Sequence, residues 1–487
     1  MRRGTIGIGA VLVAAVAAIA DEPRDARRVE QALQAAIAKA EPAVACLFVY
    51  RPDHNDSFRG VPSADTVPDF YASGVVLDPA GKILTNYHVI REAAGEGGDP
   101  ARVRIRARLP GRKDADGNDG PPREGTATVL AADARSDLAV LKLEAFRGPL
   151  PVVPMGRGED LKKGSFVVSL GHPYAAGYRD GSPSASSGIV SNLRRRQPGG
   201  GSELDRARLP LAQFGTLIQS DVRLQLGTSG GALLDLDGKL VGLTTAQAAL
   251  TGVDSPGGFA IPMDDVMRRI VETLLHGEEV EYGFLGISTS MRPDPGLHLA
   301  PGEGIRVNQV FGNSPAAGPG GLWVGDVILA VNGRPLREYD DLFLHLAATL
   351  AGREVTLLVR RRGAEQTVHT RLVKSQVGDI DRATHRLKDE NASIATNKPR
   401  DWYGLRVEYT SVLAKESTAI PPGVLVREAT DRAKAAGLVP YEDIIIRVNG
   451  GQELKSPAQF REQAAAAVNA GNALKLTLAD GRTVTLP

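Results

Sequence analysis

Residues 226–235, LGTSGGALLD, set Ser229 among glycines just ahead of an apolar run. Clusters of Gly, Ser and Thr between apolar runs are ordinarily turns, so the stretch taken alone marks a turn and leaves its serine unassigned. A serine hydroxyl is a weak nucleophile until a base takes its proton, and near neutral pH the side chain best suited to do so is a neutral histidine. The histidine in turn needs a carboxylate to fix its tautomer and stabilise its cation. Reading Ser229 as a nucleophile therefore demands a histidine and an aspartate from elsewhere in the chain.

The histidines are His54, His88, His172, His276, His298, His345, His369 and His385, and only His88 ends a strongly strand-like run, KILTNYHVI. Asp137 opens an apolar strand in ARSDLAVLKL. Singly, a strand-end histidine is structural and an aspartate at a strand start is turn chemistry. Together, His88, Asp137 and Ser229 stand in the order His, Asp, Ser used by chymotrypsin-like double barrels, spaced so that the first two come from one barrel and the serine from the next. The glycines then gain a purpose. Attack on a carbonyl generates an oxyanion, which the backbone N–H groups of Gly227 and Ser229 receive if the loop is tight. Gly227 supplies that conformational freedom, and Gly230 and Gly231 are expected to leave room for substrate.

The surroundings agree with a β fold. At 487 residues, with 55 Gly, 31 Pro and 42% hydrophobic residues, the chain calls for three or four domains rich in short strands and turns. From 42 to about 265 it runs through short β-like segments, among them VACLFVY, SGVVLD, FVVSLG and KLVGLTTA, after a helical segment at 21–41 that stops at Pro42. Beyond 280 a pattern repeats: SPAAGPGGLWVGDVILAVNG (314–333) and DRAKAAGLVPYEDIIIRVNG (431–450) imply two copies of one domain. The polar piece 376–400 between them reads as a linker.

Lys and Arg total 58 against 57 Asp and Glu, so no overall field exists to hold nucleic acid or an anionic membrane. Arg2 and Arg3, an apolar stretch to about Ala20 and the exit Ala18-Ile19-Ala20 read as a secretory signal over 1–20. Left uncleaved, it would be a membrane anchor. The lone cysteine, Cys46, has no internal disulfide partner and fits a buried strand. No histidine has the i, i+4 partner and acidic neighbour of a metal hydrolase, so no metal and no cofactor is expected.

Residues 42–265 resemble the HtrA family of trypsin-like serine proteases through SGVVLDPAGKILTNYHVI, DARSDLAVLKL, VVSLGHP, SGIVSNL, IQSD, GTSGGALLDLDGKLVGLTTA and GGFAIP, all in family order. The resemblance implies a mainly β chain: a chymotrypsin-like double β-barrel protease domain at 42–275, a first PDZ-like α+β domain at 280–375 and a second at 401–487. It implies a serine endopeptidase with the triad His88, Asp137 and Ser229, exported to the periplasm or cell envelope. Its substrates would be unfolded or damaged proteins, and it would assemble as trimers or multiples of them. In PDZ domains a glycine-rich loop captures a peptide's C-terminal carboxylate while the peptide adds a strand to the sheet. YGFLGI (Gly283, Phe284, Leu285, Gly286, Ile287) looks like that loop, and WYGLRV (Tyr403, Gly404, Leu405) is its poorer counterpart in the second copy.

Some positions depart from the family pattern. Thr228, Tyr87 and His172 stand where asparagines are usual, and RLQL (223–226) replaces a proline-containing approach to the serine. Leu224 and Leu243 would line the primary specificity pocket, favouring small or medium aliphatic side chains, with Arg223 an unexpected neighbour. Two rival functions stay open on sequence. GTSGG also satisfies the G-x-S-x-G pattern of α/β hydrolases, although a DG hairpin signal rather than a helix follows the serine. The other rival is a latent or non-catalytic chaperone or peptide-binding scaffold on the same fold.

Overall fold

VACLFVY is apolar at every position and forms strand β1 (Val44–Tyr50), buried along its whole length, as a strand covered on both faces must be. In this computed structural model the described residues are 22–51, 68–95, 99–112, 120–144, 146, 148–196, 210–245, 257–289, 300, 303–375, 380–381, 386–387, 393–397, 404–416 and 420–486. The expected signal at 1–20 lies outside them. Helix α1 (Glu22–Ala40) precedes β1 and stops ahead of Pro42, whose ring cannot continue the helical hydrogen-bond ladder.

Five further strands join β1: β2 (Phe70–Asp78), β3 (Lys82–Asn86), β4 (Arg104–Leu109), β5 (Arg123–Asp133) and β6 (Leu138–Leu143). They follow the order β5-β4-β1-β2-β3-β6, and β6 pairs back onto β5, so the sheet closes. A second closed barrel is built from β7 (Phe166–Gly171), β8 (Ser184–Arg195), β9 (Leu217–Ser220), β10 (Ala232–Leu234), β11 (Leu240–Thr245) and β12 (Gly258–Pro262). Its centre is filled by Val167, Val190, Ile218, Val222, Leu233, Val241 and Ala260. Closure leaves no open edge, which lets short strands form a stable core.

His88 does not end a strand. β3 stops at Asn86, and Tyr87–Ala94 form helix α2 with Asn86 in extended conformation at its N-cap. Val89, Ile90, Ala93 and Ala94 are its buried stripe; an i, i+3, i+4 apolar pattern begins there and overrides the strand period before it.

The chain divides into two compact units, one spanning 1–129, 140–195 and 216–268, the other 130–139, 196–215 and 269–487. Helix α3 (Asp265–Leu275) runs from the first into the second. The second unit holds β13 (Gly283–Phe284), β14 (Ile287–Thr289), β15 (Ile305–Val310), β16 (Val327–Val331), β17 (Arg334–Pro335), helix α4 (Asp341–Ala348), β18 (Glu354–Arg361), β19 (Ala364–Arg371) and β20 (Val373–Lys374). β14-β15-β16-β18-β19 form one sheet with β14 at its edge, and β13 pairs with β20.

Within 376–400, β21 (Ile380–Asp381) pairs with β22 (Arg386–Leu387), and β23 (Ser393–Ala395) adds to β5 opposite Ala131–Asp133. The C-terminal sheet follows as β24 (Leu405–Tyr409), β25 (Val424–Ala429), β26 (Ile444–Val448), β27 (Leu474–Leu478) and β28 (Thr483–Leu486), in that order. Its helices are α5 (Asp431–Ala435) and α6 (Pro457–Asn469).

The two repeated segments share local structure. Asn332 and Asn449 both adopt left-handed φ, 49° and 50°, a conformation asparagine tolerates better than most residues. Each exchanges two hydrogen bonds with a neighbouring strand: Asn332 with Thr356 (2.7 and 2.9 Å) and Asn449 with Lys475 (2.7 and 2.6 Å). The acidic residue of each repeat also recurs in role. Asp326 accepts from the Trp323 N–H and pairs with Arg361, while Asp443 accepts from the Val439 N–H and pairs with Arg482.

Candidate active site

Ser229 lies in the turn between β9 and β10, and His88 lies in the first turn of α2. These residues are 141 positions apart, yet His88 Nε2 and Ser229 Oγ are 3.0 Å apart in a buried contact. That is hydrogen-bond distance for a base poised to take a hydroxyl proton.

Ser73, on β2, sets the shape of the serine loop. Its N–H donates to the Ser229 carbonyl (2.8 Å) and its hydroxyl donates to the Gly227 carbonyl (2.7 Å). The same hydroxyl accepts from the His172 N–H (2.8 Å), and the Ser73 carbonyl accepts from the Thr85 hydroxyl (2.8 Å). With both flanking carbonyls drawn to Ser73, the loop cannot rotate those peptides freely. Sequence reading missed Ser73; its only signal was a polar residue inside an otherwise apolar strand.

Gly227 is required twice over. Its φ is +92°, a left-handed value, and a Cβ there would overlap the His172 carbonyl oxygen. The Leu226 carbonyl accepts from the Tyr174 N–H at 2.8 Å. In a planar trans peptide the Gly227 N–H then points the opposite way, away from the Tyr174 loop. Gly230 and Gly231 serve a different purpose from the one expected. A Cβ on Gly230 would strike the Ser73 carbonyl and the Thr85 hydroxyl, and one on Gly231 would come 2.5 Å from the Leu170 carbonyl. They make room for the protein's own backbone, not for substrate.

Asp137 ends the turn 134–137 between β5 and β6, at left-handed φ 57°. It lies in the stretch 130–139 that groups with the second unit, while His88 and Ser229 lie in the first.

A cavity of about 300 Å³ opens beside the pair, lined by Asp69, Phe70, Tyr71, Tyr174, Leu226 and Gly227 among others, with His88 and Ser229 in its wall. Tyr174 is 66% exposed and Leu226 45%. Leu224 and Leu243 are not in that wall. Leu243 is fully buried on β11, between Ala232 and Ile261, and Leu224 packs against the second-barrel core.

His172 is fully buried in the loop facing Gly227. Burial drives its pKa down to about 4, against the pull of the Val44 carbonyl and Asp180. Its ring is neutral at pH 7, and Nδ1 has no partner among the described residues.

At the expected peptide-capturing loop, Gly286 has φ +82° and a Cβ on it would collide with Ser314. The Leu285 and Gly286 carbonyls accept from the Ala316 and Phe311 N–H groups. Gly283 and Phe284 form β13, and Ile287 opens the edge strand β14. In the second copy Gly404 (φ +74°) meets Thr430 in the same way, and Leu405 opens the edge strand β24. Tyr403 lies outside the described residues. Arg406 and Glu408 of β24 are tied into a buried ion cluster with Glu279 and Lys374. Among the described residues no cluster of His, Cys, Asp or Glu could hold a metal ion.

Comparison with known proteins gives two family matches: a trypsin-like peptidase domain over residues 72–243 and a PDZ domain over residues 283–372. The chain is 31% identical over 398 residues to a probable periplasmic serine endoprotease DegP-like of Pseudomonas fulva (strain 12-X), covering 80% of this chain and 73% of that protein. To the protein of the same description from Hahella chejuensis (strain KCTC 2396) it is 29% identical over 459 residues, covering 88% of this chain and 86% of that one. Among solved structures, the HtrA-type protease AlgW with tripeptide is 26% identical, at TM-score 0.48, over 70% of this chain and 96% of that one.

Proposed function

Since the chain belongs to the HtrA family of trypsin-like serine proteases with PDZ domains, we propose that His88, Asp137 and Ser229 are its catalytic triad and that Gly227 and Ser229 supply the oxyanion hole. The protein is a serine endopeptidase. The observation that carries the assignment is the 3.0 Å approach of His88 Nε2 to Ser229 Oγ.

The reaction is acyl transfer to water. His88 Nε2 takes the hydroxyl proton as Ser229 Oγ bonds to the scissile carbonyl carbon, and the carbonyl electron pair becomes an oxyanion facing the Gly227 and Ser229 N–H groups. The imidazolium then protonates the leaving amine, the C–N bond breaks, and an acyl-enzyme remains. Water, deprotonated by His88, hydrolyses the ester and returns the proton to Ser229. Asp137 holds the imidazole in its working tautomer and stabilises its charged form.

The DegP-like relatives are described as periplasmic, which supports export to the periplasm through the signal at 1–20. Unfolded or damaged proteins fit as substrates, since a serine protease reads extended chain rather than folded surface. The loop Gly283–Ile287 and edge strand β14 support capture of a C-terminal peptide by strand addition, and Gly404 and Leu405 support a second, more constrained site beside the ion cluster. A trimer or a multiple of trimers is the assembly the family suggests.

Labelling Ser229 with a serine-directed fluorophosphonate, with and without a C-terminal peptide, tests this function. Labelling in either condition, abolished by Ser229→Ala, together with casein degradation, is the expected result. Absence of labelling in both conditions would instead make the chain a non-catalytic scaffold.

A further inference from the structure

Tyr282 stands one residue before the Gly283 loop and is fully buried. Its hydroxyl donates to Asp133 Oδ2 at 2.5 Å, and the Arg135 guanidinium lies over its ring, 4.4 Å from the centroid. Asp133 precedes the turn that ends in Asp137, and Arg135 lies within it.

Asp133 closes β5 and organises that turn. Its Oδ2 also accepts from the Ser136 N–H (2.8 Å) and the Ser136 hydroxyl (2.6 Å). The turn's own closing bond, from the Asp137 N–H to the Ala134 carbonyl, is long at 3.3 Å. Asp137 holds a left-handed φ of 57°, a conformation that costs a non-glycine residue on the order of 1 kcal/mol and persists only where surrounding contacts over-determine it. Among those contacts are the bonds of the Asp133 carboxylate to Ser136 and that of the Arg135 carbonyl, which accepts from the Leu211 N–H at 2.7 Å.

A fully buried carboxylate needs donors to stay in place. Burial pushes the Asp133 carboxyl up, and the Ser136 and Tyr282 hydrogen bonds draw it back down. Of the three donors, two belong to the turn itself. Tyr282 is the donor from outside the turn.

We infer that Tyr282, acting through the Asp133 carboxylate, is a positioning residue for Asp137, holding the 134–137 turn in the one conformation that aims the Asp137 side chain. The inference rests on Asp137 being the triad carboxylate.

The test is the rate of fluorophosphonate labelling of Ser229 in the full chain from pH 5 to 9, with thermal unfolding measured beside it. Tyr282→Phe is expected to label on the order of 10-fold more slowly, since displacing a catalytic group by a fraction of an ångström has effects of that size. Its acid midpoint is expected at lower pH, because an imidazolium that loses its carboxylate releases its proton more readily. Ser136→Ala is expected to act in the same direction.

A Tyr282→Phe protein that unfolds as the parent does and labels at the parent rate with the parent midpoint overturns the inference. So does a slower rate with no movement of the midpoint, which would be a general loosening of the fold. If Tyr282→Phe does not fold, the same two readings on Ser136→Ala decide. Asp137→Asn run in parallel separates the two levels: parent-like labelling there sinks the triad itself, whereas its loss beside a parent-like Tyr282→Phe sinks only the role of Tyr282.

Discussion

The Ser73 hydroxyl donates to the Gly227 carbonyl at 2.7 Å while the Ser73 N–H donates to the Ser229 carbonyl at 2.8 Å. One residue of the first barrel thus clamps both sides of the Ser229 loop of the second. These bonds fix the 227–228 and 229–230 peptides, which flank the two peptides carrying the Gly227 and Ser229 N–H groups proposed as oxyanion donors.

Ser73→Ala removes the hydroxyl and leaves the buried His172 N–H and Gly227 carbonyl without that partner. The expected loss is about 1–3 kcal/mol of stability and ~10- to 100-fold in casein turnover. Urea denaturation and initial rates at saturating casein measure the two. Unchanged turnover would show that the loop holds its shape without the clamp.

Gly227→Ala places a methyl group against the His172 carbonyl at a backbone angle of +92°. The loop has to rotate, and the Gly227 N–H turns with it. Loss of one oxyanion donor, the role proposed for this N–H, typically costs ~10²- to 10³-fold in rate, and casein turnover is expected to fall by that amount while circular dichroism stays native.

His172 makes the protein acid-sensitive. Its folded-state pKa lies at about 4, below the ordinary 6.5, so between those values the unfolded chain binds the proton and the folded one does not. Stability is therefore full above pH 6.5, falls as pH drops from 6.5 to 4, and is then lower by ~3 kcal/mol. Urea midpoints at pH 7, 5.5 and 4.5 measure the slope, and His172→Asn is expected to flatten it.

Lys374 is 2% exposed and sits between Glu279 (2.9 Å) and Glu408 (2.6 Å), with Arg427 reaching the same two carboxylates at 2.8 Å each. Burial opposes charge on Glu279, but Lys374 and Arg427 outweigh it and hold its carboxyl well below the usual range. A depressed carboxyl contributes stability above its unfolded pKa, and that contribution is lost as pH falls through the folded one. Lys374→Met leaves the carboxylates short of a cation and is expected to destabilise by about 3–5 kcal/mol, read as a lowered thermal transition at pH 7 that narrows toward the parent below pH 4.

Leu224 packs on the barrel core, whereas Tyr71 and Leu226 line the cavity beside Ser229. Leu224→Ala is expected to lower stability by about 1–2 kcal/mol with the pattern of casein cleavage sites unchanged. Leu226→Ala and Tyr71→Ala are expected to shift that pattern, read by mass spectrometry of the peptides. A changed pattern in Leu224→Ala alone would support the specificity pocket at the position expected from sequence.

Much of the fold was legible because short apolar runs bounded by turn residues are local signals. VACLFVY, FVVSLG and KLVGLTTA each became strands, and the repeated VNG segments became matching left-handed turns. The strand-end reading of His88 failed, since the helix that begins at Tyr87 is stabilised by burying its own stripe in the barrel, which adjacent sequence does not display. The lining of the cavity beside Ser229 was hardest to read. Leu224 and Leu226 are two positions apart in similar chemistry, and only the direction each takes from the turn sends one to the core and the other to the cavity.

By itself the sequence determined which side chains are proposed for the chemistry: a histidine, an aspartate and a serine in a known order, with glycines where the backbone would have to bend. Tertiary structure alone decided that His88 reaches Ser229 across 141 residues, that Ser73 clamps the loop, and that Gly230 and Gly231 make room for backbone. The physical reason is that hydrogen bonds and steric exclusion act over a few ångströms of space, whereas sequence patterns report only neighbours along the chain.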